Sequence, residues 1–163
     1  METARILKLM IVAGTGHRPN KLGGCNNESY LKLVAIAEEW IRKNKPTKVI
    51  SGMAQGWDQA LAQAAVNCGV PFIAAVPFKG QESRWTAKGQ KYYTVLLSKA
   101  ESIEYVCDEG YAPYKMQVRN EWMVDNCDLV LAMWDGTKGG THNCIKYAYS
   151  QDKEWTNLYG KWL

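Results

Sequence analysis

Short apolar runs alternate with amphipathic segments along almost the whole chain, and this alternation constrains the fold more than any other feature. The first run, "LKLMIVAG", closes on Gly14 and reads as a buried strand. Residues 29 to 43, "SYLKLVAIAEEWIRK", bring Leu33, Val34, Ala37, Trp40 and Ile41 to one helical face, with Ser29 as the expected N-cap. "TKVIS" is the next strand, and residues 57 to 68 repeat the helical spacing with Trp57, Leu61, Ala64, Ala65 and Cys68 before Gly69 stops the helix. "PFIAAV" predicts a third strand, residues 86 to 99 a third helix, and "SIEYV" a fourth strand. A helix over 114 to 126 carries Val118, Trp122 and Asp125; "DLVLAMW" is the fifth strand, and a last helix starts at about 142.

Strands this continuously apolar are buried on both faces, and strands alternating with helices form parallel sheets. The expected fold class is therefore α/β: a single Rossmann-like domain over residues 1–163, with a mainly parallel sheet and helices on both faces. At 47% hydrophobic and 22% charged residues, the chain can bury a core and keep a solvated surface. Its net charge of +4 suits an anionic ligand, whereas dedicated nucleic-acid binders concentrate more positive charge, so nucleic acid is not the expected partner. The five cysteines, 25, 68, 107, 127 and 144, form no CxxC pair, which argues against a disulfide framework or a zinc site. They fit small buried hydrophobes in a reducing compartment, so a cytoplasmic location is expected. The N-terminal "METARILKLMIVAG" is too short for a membrane span and lacks a cleavage site, and no membrane partner is expected.

In open parallel sheets ligands bind beyond the carboxyl ends of the strands, so the loops after each strand carry the chemistry. "GTGHRP" follows the first strand: Gly14 and Gly16 allow the backbone to approach an anion, flanked by Thr15, His17 and Arg18. Pro19 stands where a dinucleotide fingerprint needs its last glycine, and Ser51-Gly52 ends the second strand without an acid for a ribose, which argues against an NAD dehydrogenase. In "SGMAQGWDQALAQAA", Ser51, Gly52, Met53 and Ala54 lead to Gly56, and Asp58 lies in the first helical turn. Backbone N–H groups there suit a phosphate; Asp58 fits either a ligand contact or a helix-dipole role of about 0.3–1 kcal/mol. In "PFKGQESRW", Gln81 or Glu82 is placed to meet a ribose or base and Trp85 to stack, or the segment is a solvated turn.

"WDGTKGGTHNC" supplies Gly136, Gly139 and Gly140 for a phosphate cradle, Thr141 as a helix cap, and His142. Both histidines fall in carboxyl-edge loops, but His142 and Cys144 diverge on a helix, so no metal site is expected. Arg119, with Asn120 beside it in "QVRNEWM", is either a solvated-face residue or a charge directed at the site.

Taken together, "SGMAQGWDQALAQAA" closely resembles the "SGxAxGxDxxA" signature of the DNA-processing protein A family. "GTGHRP", "PFKGQESRW", "RNEWM" and "DGTKGGTHNCIKYA", in that order, resemble the YpsA-like branch of the SLOG superfamily. The resemblance spans roughly residues 8 to 150. It implies a Rossmann-like fold that binds nucleotides or nucleotide-derived molecules at the glycine loops. Within the superfamily, lonely guy proteins cleave nucleoside monophosphates, others sense or sequester signal nucleotides related to ADP-ribose, and the DNA-processing protein binds single-stranded DNA. The hydrolases carry "PGGxGTxxE"; here Gly139, Gly140 and Thr141 are present, but the glutamate position falls on Cys144 and Arg119 is followed by Asn120, not lysine. A carboxylate stabilises the positive charge that develops on the ribose, and an un-ionised cysteine does not.

The expected function is thus binding of a nucleotide or ADP-ribose-like small molecule as a sensor or sequestering protein, with no additional cofactor. The enzymatic alternative is a nucleoside-phosphate N-glycosidase or transferase using Glu82, Asp58 or Asp135. A second alternative is single-stranded DNA binding. The aromatic tail, with Trp155, Tyr159 and Trp162, predicts either a return onto the core or a contact in a homo-oligomer.

Overall fold

A computed structural model describes residues 9–163. The start of the first apolar run, residues 7 and 8, lies outside the described residues. Six strands and six helices follow in the order β1 (Ile11–Gly16), α1 (Asn27–Asn44), β2 (Lys48–Ser51), α2 (Trp57–Asn67), β3 (Phe72–Val76), α3 (Ala87–Leu97), β4 (Ser102–Tyr105), α4 (Pro113–Asp125), β5 (Leu129–Met133), α5 (Gly140–Ser150), β6 (Glu154–Asn157) and α6 (Tyr159–Trp162). A short 3-10 turn, Pro19–Lys21, follows β1.

All strand pairs are parallel, in the spatial order β4-β3-β2-β1-β5-β6. The chain winds outward from β1 to β4, then returns to lay β5 on the other flank of β1, pairing Gly14 with Leu131 and Gly16 with Met133. This reversal creates a crevice between the loops leaving β1 and β5, where open α/β sheets bind ligands.

Alternation along the strands feeds two cores. Val12, Val49, Phe72, Ala74, Leu129 and Leu131 face α1, α2 and α3, where Leu33, Val34, Ala37, Ile41, Trp57 and Leu61 are buried. Ala13, Ile50, Ala75 and Val130 face the opposite layer of α4 and α5, with Met123, Val124, Cys144 and Ala148. Both sheet faces are covered, which accounts for the near-continuous apolar strands.

Close packing explains two of the motif glycines. A Cβ on Gly14 would lie 2.5 Å from Leu61 Cδ2, and one on Gly16 would lie 2.5 Å from Trp57 Cδ1. These glycines let α2 press against β1, and the fully buried Trp57 donates its indole N–H to Leu131 O at 3.2 Å.

Local signals differ from the sequence expectations at several points. Helix α1 begins earlier: Asn26, not Ser29, is the N-cap, and its Oδ1 accepts the Ser29 N–H at 2.8 Å. Thr141 does not cap α5; Gly139 occupies the cap position and Thr141 lies within the first turn. Strand β6 carries no apolar run, and pairing with β5 alone extends it. The aromatic tail folds back: Leu158 is buried, Tyr159 and Trp162 pack on the first core, and Lys32 lies over the Trp162 ring at 4.4 Å. Tyr159 and Trp162 are thus used within the chain, while Trp155 remains exposed. Among the described residues, no helix is long and apolar enough to cross a membrane.

Candidate functional site

A cleft of about 400 Å³ opens at the switch between β1 and β5. The loop after β1 contributes Gly14, Thr15, Gly16, His17, Arg18, Asn20 and Lys21. The β2–α2 segment adds Ala54 and Asp58, α4 adds Met116, Arg119, Asn120 and Met123, and the β5–α5 loop adds Lys138, Gly139, Gly140 and Thr141. The α4 residues follow the i, i+3, i+4, i+7 spacing of one helical face.

The two helix starts near the cleft differ in what they leave free. At α2 the Trp57 N–H donates to His17 O and the Gln59 N–H to Ala54 O, both at 3.2 Å. These bonds clamp the loop and use two of the donors at the helix start that the sequence assigned to a phosphate. At α5 the first bonded amide is that of Asn143, which donates to Gly139 O at 3.0 Å. Among the described residues no acceptor takes the N–H groups of Gly140, Thr141 or His142. Free amides at the positive end of a helix, with Lys138, Lys21 and Arg18 around the same opening, give this corner of the cleft a positive potential.

The opposite wall holds a buried acid and a buried base. Arg119 is 4% exposed and donates Nη1–H to Gly52 O at 2.6 Å and Ala75 O at 3.3 Å, and Nε–H to Asn120 Oδ1 at 3.0 Å. Its Nη2 has no partner among the described residues. Asp58 is also buried, yet among the described residues no side-chain ion pair reaches it within 4.0 Å. Burial pushes its carboxyl up to about 6, against the pull of Arg119, Arg18 and a backbone bond from Ala54. Burial likewise lowers the Arg119 pKa, with Asp58 opposing that shift. Gly52 makes room for both groups: a Cβ there would lie 2.5 Å from Arg119 Nη1 and 2.9 Å from Asp58 Oδ2.

His17 and Asp135 join the two key loops. His17 Nε2 lies 2.8 Å from Asp135 Oδ1 and 3.0 Å from the Asp135 backbone nitrogen. Nε2 donates to the carboxylate when it carries the proton and accepts the Asp135 backbone N–H when it does not, so either tautomer ties the two loops together. Side-chain and backbone bonds from Thr137, with a smaller contribution from His17, hold the Asp135 carboxyl well below the usual range. Asp135 is thus a permanent anion that braces the cleft mouth, with Lys21 4.0 Å from its Oδ2.

Several expected site residues stand outside the cleft. Ser51 is buried, where its Oγ donates to Asp58 O at 2.7 Å and accepts the Met53 N–H at 3.1 Å. Met53 is buried in the left-handed region at φ 63°. Gln81 ties Gly52 O to the Tyr93 hydroxyl, each at 3.2 Å, so it supports the loop from behind. Gly56 and Trp85 line a separate groove, and Glu82 lines neither. Gly136 turns the loop ahead of the cleft, and His142 stacks on Trp134 at 5.5 Å instead of joining His17. Asn20, Lys21, Met116, Met123 and Lys138 line the cleft without having been singled out in the sequence.

Cys144 is 1% exposed within the apolar layer beneath α5, and burial pushes its thiol up to about 11. It is neutral near pH 7 and supplies no charge in place of a carboxylate. Among the described residues no three His, Cys, Asp or Glu side chains converge as metal ligands.

Comparison with known proteins shows relatives in sequence and in fold. The chain is 35% identical to the SPbeta prophage-derived protein YoqJ of Bacillus subtilis, over 72% of this chain and 78% of that protein. A UPF0398 protein of Bacillus cereus is 23% identical over 95% and 90% of the respective chains. Among solved structures, DNA processing protein A of Streptococcus pneumoniae superposes with a TM-score of 0.66 at 17% identity, over 91% of this chain, which spans 50% of that one. The molybdenum cofactor binding protein of Rippkaea orientalis gives a TM-score of 0.58 at 14% identity, over 93% and 77%. The family model described as the YspA SLOG family matches residues 12–161. Matched over nearly its whole length, the chain belongs to the YspA SLOG family.

Proposed function

We propose that the protein binds a small nucleotide-derived ligand of the mononucleotide or ADP-ribose class in the cleft and holds it without cleaving it. The observation that carries this reading is the set of free amides at Gly140, Thr141 and His142, flanked by Lys138, Lys21 and Arg18 and facing Asp58, Arg119 and Asn120. A phosphate fits the first group; ribose hydroxyls or base amines fit the acid–base wall, which offers both an acceptor and donors. The neutral thiol at Cys144 supports holding over cutting. Such a protein would act as a sensor or sequestering agent.

Titration calorimetry against AMP and ADP-ribose, with chromatography of the same samples, tests both halves of the reading. Saturable binding with intact nucleotide recovered is expected. The exposed-residue variant Arg18→Ala/Lys138→Ala should weaken binding by about tenfold or more through lost charge-assisted contacts. Unchanged affinity in that variant would overturn the site.

One observation favours an enzymatic reading. Of the three carboxylates considered from sequence, only Asp58 lines the cleft, and burial raises its pKa toward neutrality. Release of free base, lost in Asp58→Asn, would establish N-glycosidic cleavage. Single-stranded DNA binding, the property of the structurally similar DNA processing protein A of Helicobacter pylori, would instead show as affinity for oligonucleotides that falls steeply with salt.

A further inference from the structure

A second concavity of about 710 Å³ lies on the α1–α3 side of the sheet, outside the cleft already described. Its floor is aromatic and aliphatic: Tyr30 and Tyr92 meet edge to face at 5.6 Å, with Trp85, Leu22 and Leu33 completing the lining. No acidic residue lines it, while Arg84 and Lys88 stand exposed at its rim without a carboxylate partner among the described residues. Gln59 provides a specific polar feature. It is 5% exposed, donates Nε2–H to Met53 O at 3.2 Å, and leaves Oε1 unpaired at the groove wall. Held in place by that bond, the amide presents Oε1 to the open groove as a fixed acceptor for a ligand donor.

We propose that this groove is a second binding site, for a planar nitrogen heterocycle that presents an N–H donor and carries an anionic substituent. The ring lies against Trp85 and the tyrosine pair, its donor meets Gln59 Oε1, and its negative group meets Arg84 and Lys88. The site rests on its own lining and not on the cleft reading. The two are nonetheless neighbours: consecutive residues of the first turn of α2, Asp58 and Gln59, line the cleft and the groove respectively.

Cys25 is exposed and lines the groove, so its alkylation by iodoacetamide, read by peptide mass spectrometry, reports occupancy. Cys68 and Cys107 serve as internal references. The probes are AMP, GMP, CMP and ADP-ribose at millimolar concentration, with adenosine as the uncharged comparator. At least one nucleotide is expected to slow Cys25 alkylation by about fivefold, as occupancy at four times the dissociation constant requires. Adenosine should protect less. The Arg84→Ala/Lys88→Ala variant, altered only at exposed side chains, should need about tenfold more nucleotide for the same protection. Protection should survive in Arg18→Ala/Lys138→Ala, which strips cations from the cleft alone. Absence of protection by all four probes, or undiminished protection in the Arg84/Lys88 variant, would overturn the site. So would protection abolished in the Arg18/Lys138 variant, which would make Cys25 a reporter of the cleft. Failure of the cleft reading alone would leave Cys25 protection intact.

Discussion

Asp58→Asn tests whether the buried acid opposes folding. Burial raises the Asp58 carboxyl from 3.8 to about 6, so the folded state binds this proton more tightly than the unfolded chain. At about 1.4 kcal/mol for each tenfold change, that difference corresponds to about 3 kcal/mol. Below about pH 4 both states hold the proton and the cost is absent; it grows as pH rises toward about 6 and stands in full above that. Asparagine keeps the shape and mimics the protonated form, so Asp58→Asn should be more stable than wild type near pH 8 by up to about 3 kcal/mol. For a chain of this size that amounts to a Tm rise of about 6–12 °C. The two proteins should converge near about pH 4, because the stability decline across this interval belongs to the wild type. Urea denaturation followed by tryptophan fluorescence, repeated across that pH range, measures both quantities. A variant no more stable than wild type near pH 8, or one with an unchanged pH slope, would refute the reasoning. The same substitution should weaken nucleotide binding, which would make Asp58 a group whose charge opposes folding and serves the ligand.

Other perturbations test separate parts of the structure. Gly140→Pro removes one free amide at a helix position that tolerates proline, and calorimetry should show phosphate-bearing ligands bound about tenfold more weakly with little change in Tm. Lys115 is buried, and its ammonium bonds the carbonyl oxygens of Asp108, Glu109 and Gly110 at 2.7–3.1 Å; Lys115→Met should destabilise the fold by about 1–3 kcal/mol and increase hydrogen exchange in that loop. Cys144→Glu, which restores a hydrolase-like carboxylate, should destabilise the protein by several kcal/mol in denaturant titration, roughly the scale of an unpaired buried polar group, without creating base release.

Much of the fold was legible because the strands are short, apolar and separated by helical spacing, as in "KVIS" followed by Trp57, Leu61, Ala64 and Ala65. Strand β6 was not, since "EWTN" is largely exposed and becomes a strand only by pairing with β5. The cleft-lining residues of the glycine loops could be read from their place after β1 and β5, whereas the α4 wall could not. Arg119 reads equally as a solvated basic residue until Gly52, just after β2, and Ala75 of β3 supply carbonyl partners. The spacing of Met116, Arg119, Asn120 and Met123 did carry a signal: one helical face mixing a charge and an amide with two methionines. Trp85, Gln81 and Gly56 were misplaced because sequence order cannot show which side of the packed α2 start a loop will reach.

Amide chemical-shift mapping during titration with ADP-ribose and AMP tests the central claim most directly. The amides of Gly140, Thr141 and His142 should shift most at saturation, because a phosphate gives them the acceptor they lack, while the bonded Trp57 and Gln59 amides move little. Saturable binding that leaves those three amides unmoved, or shifts centred on the α2 start, would contradict the assignment of the phosphate to α5.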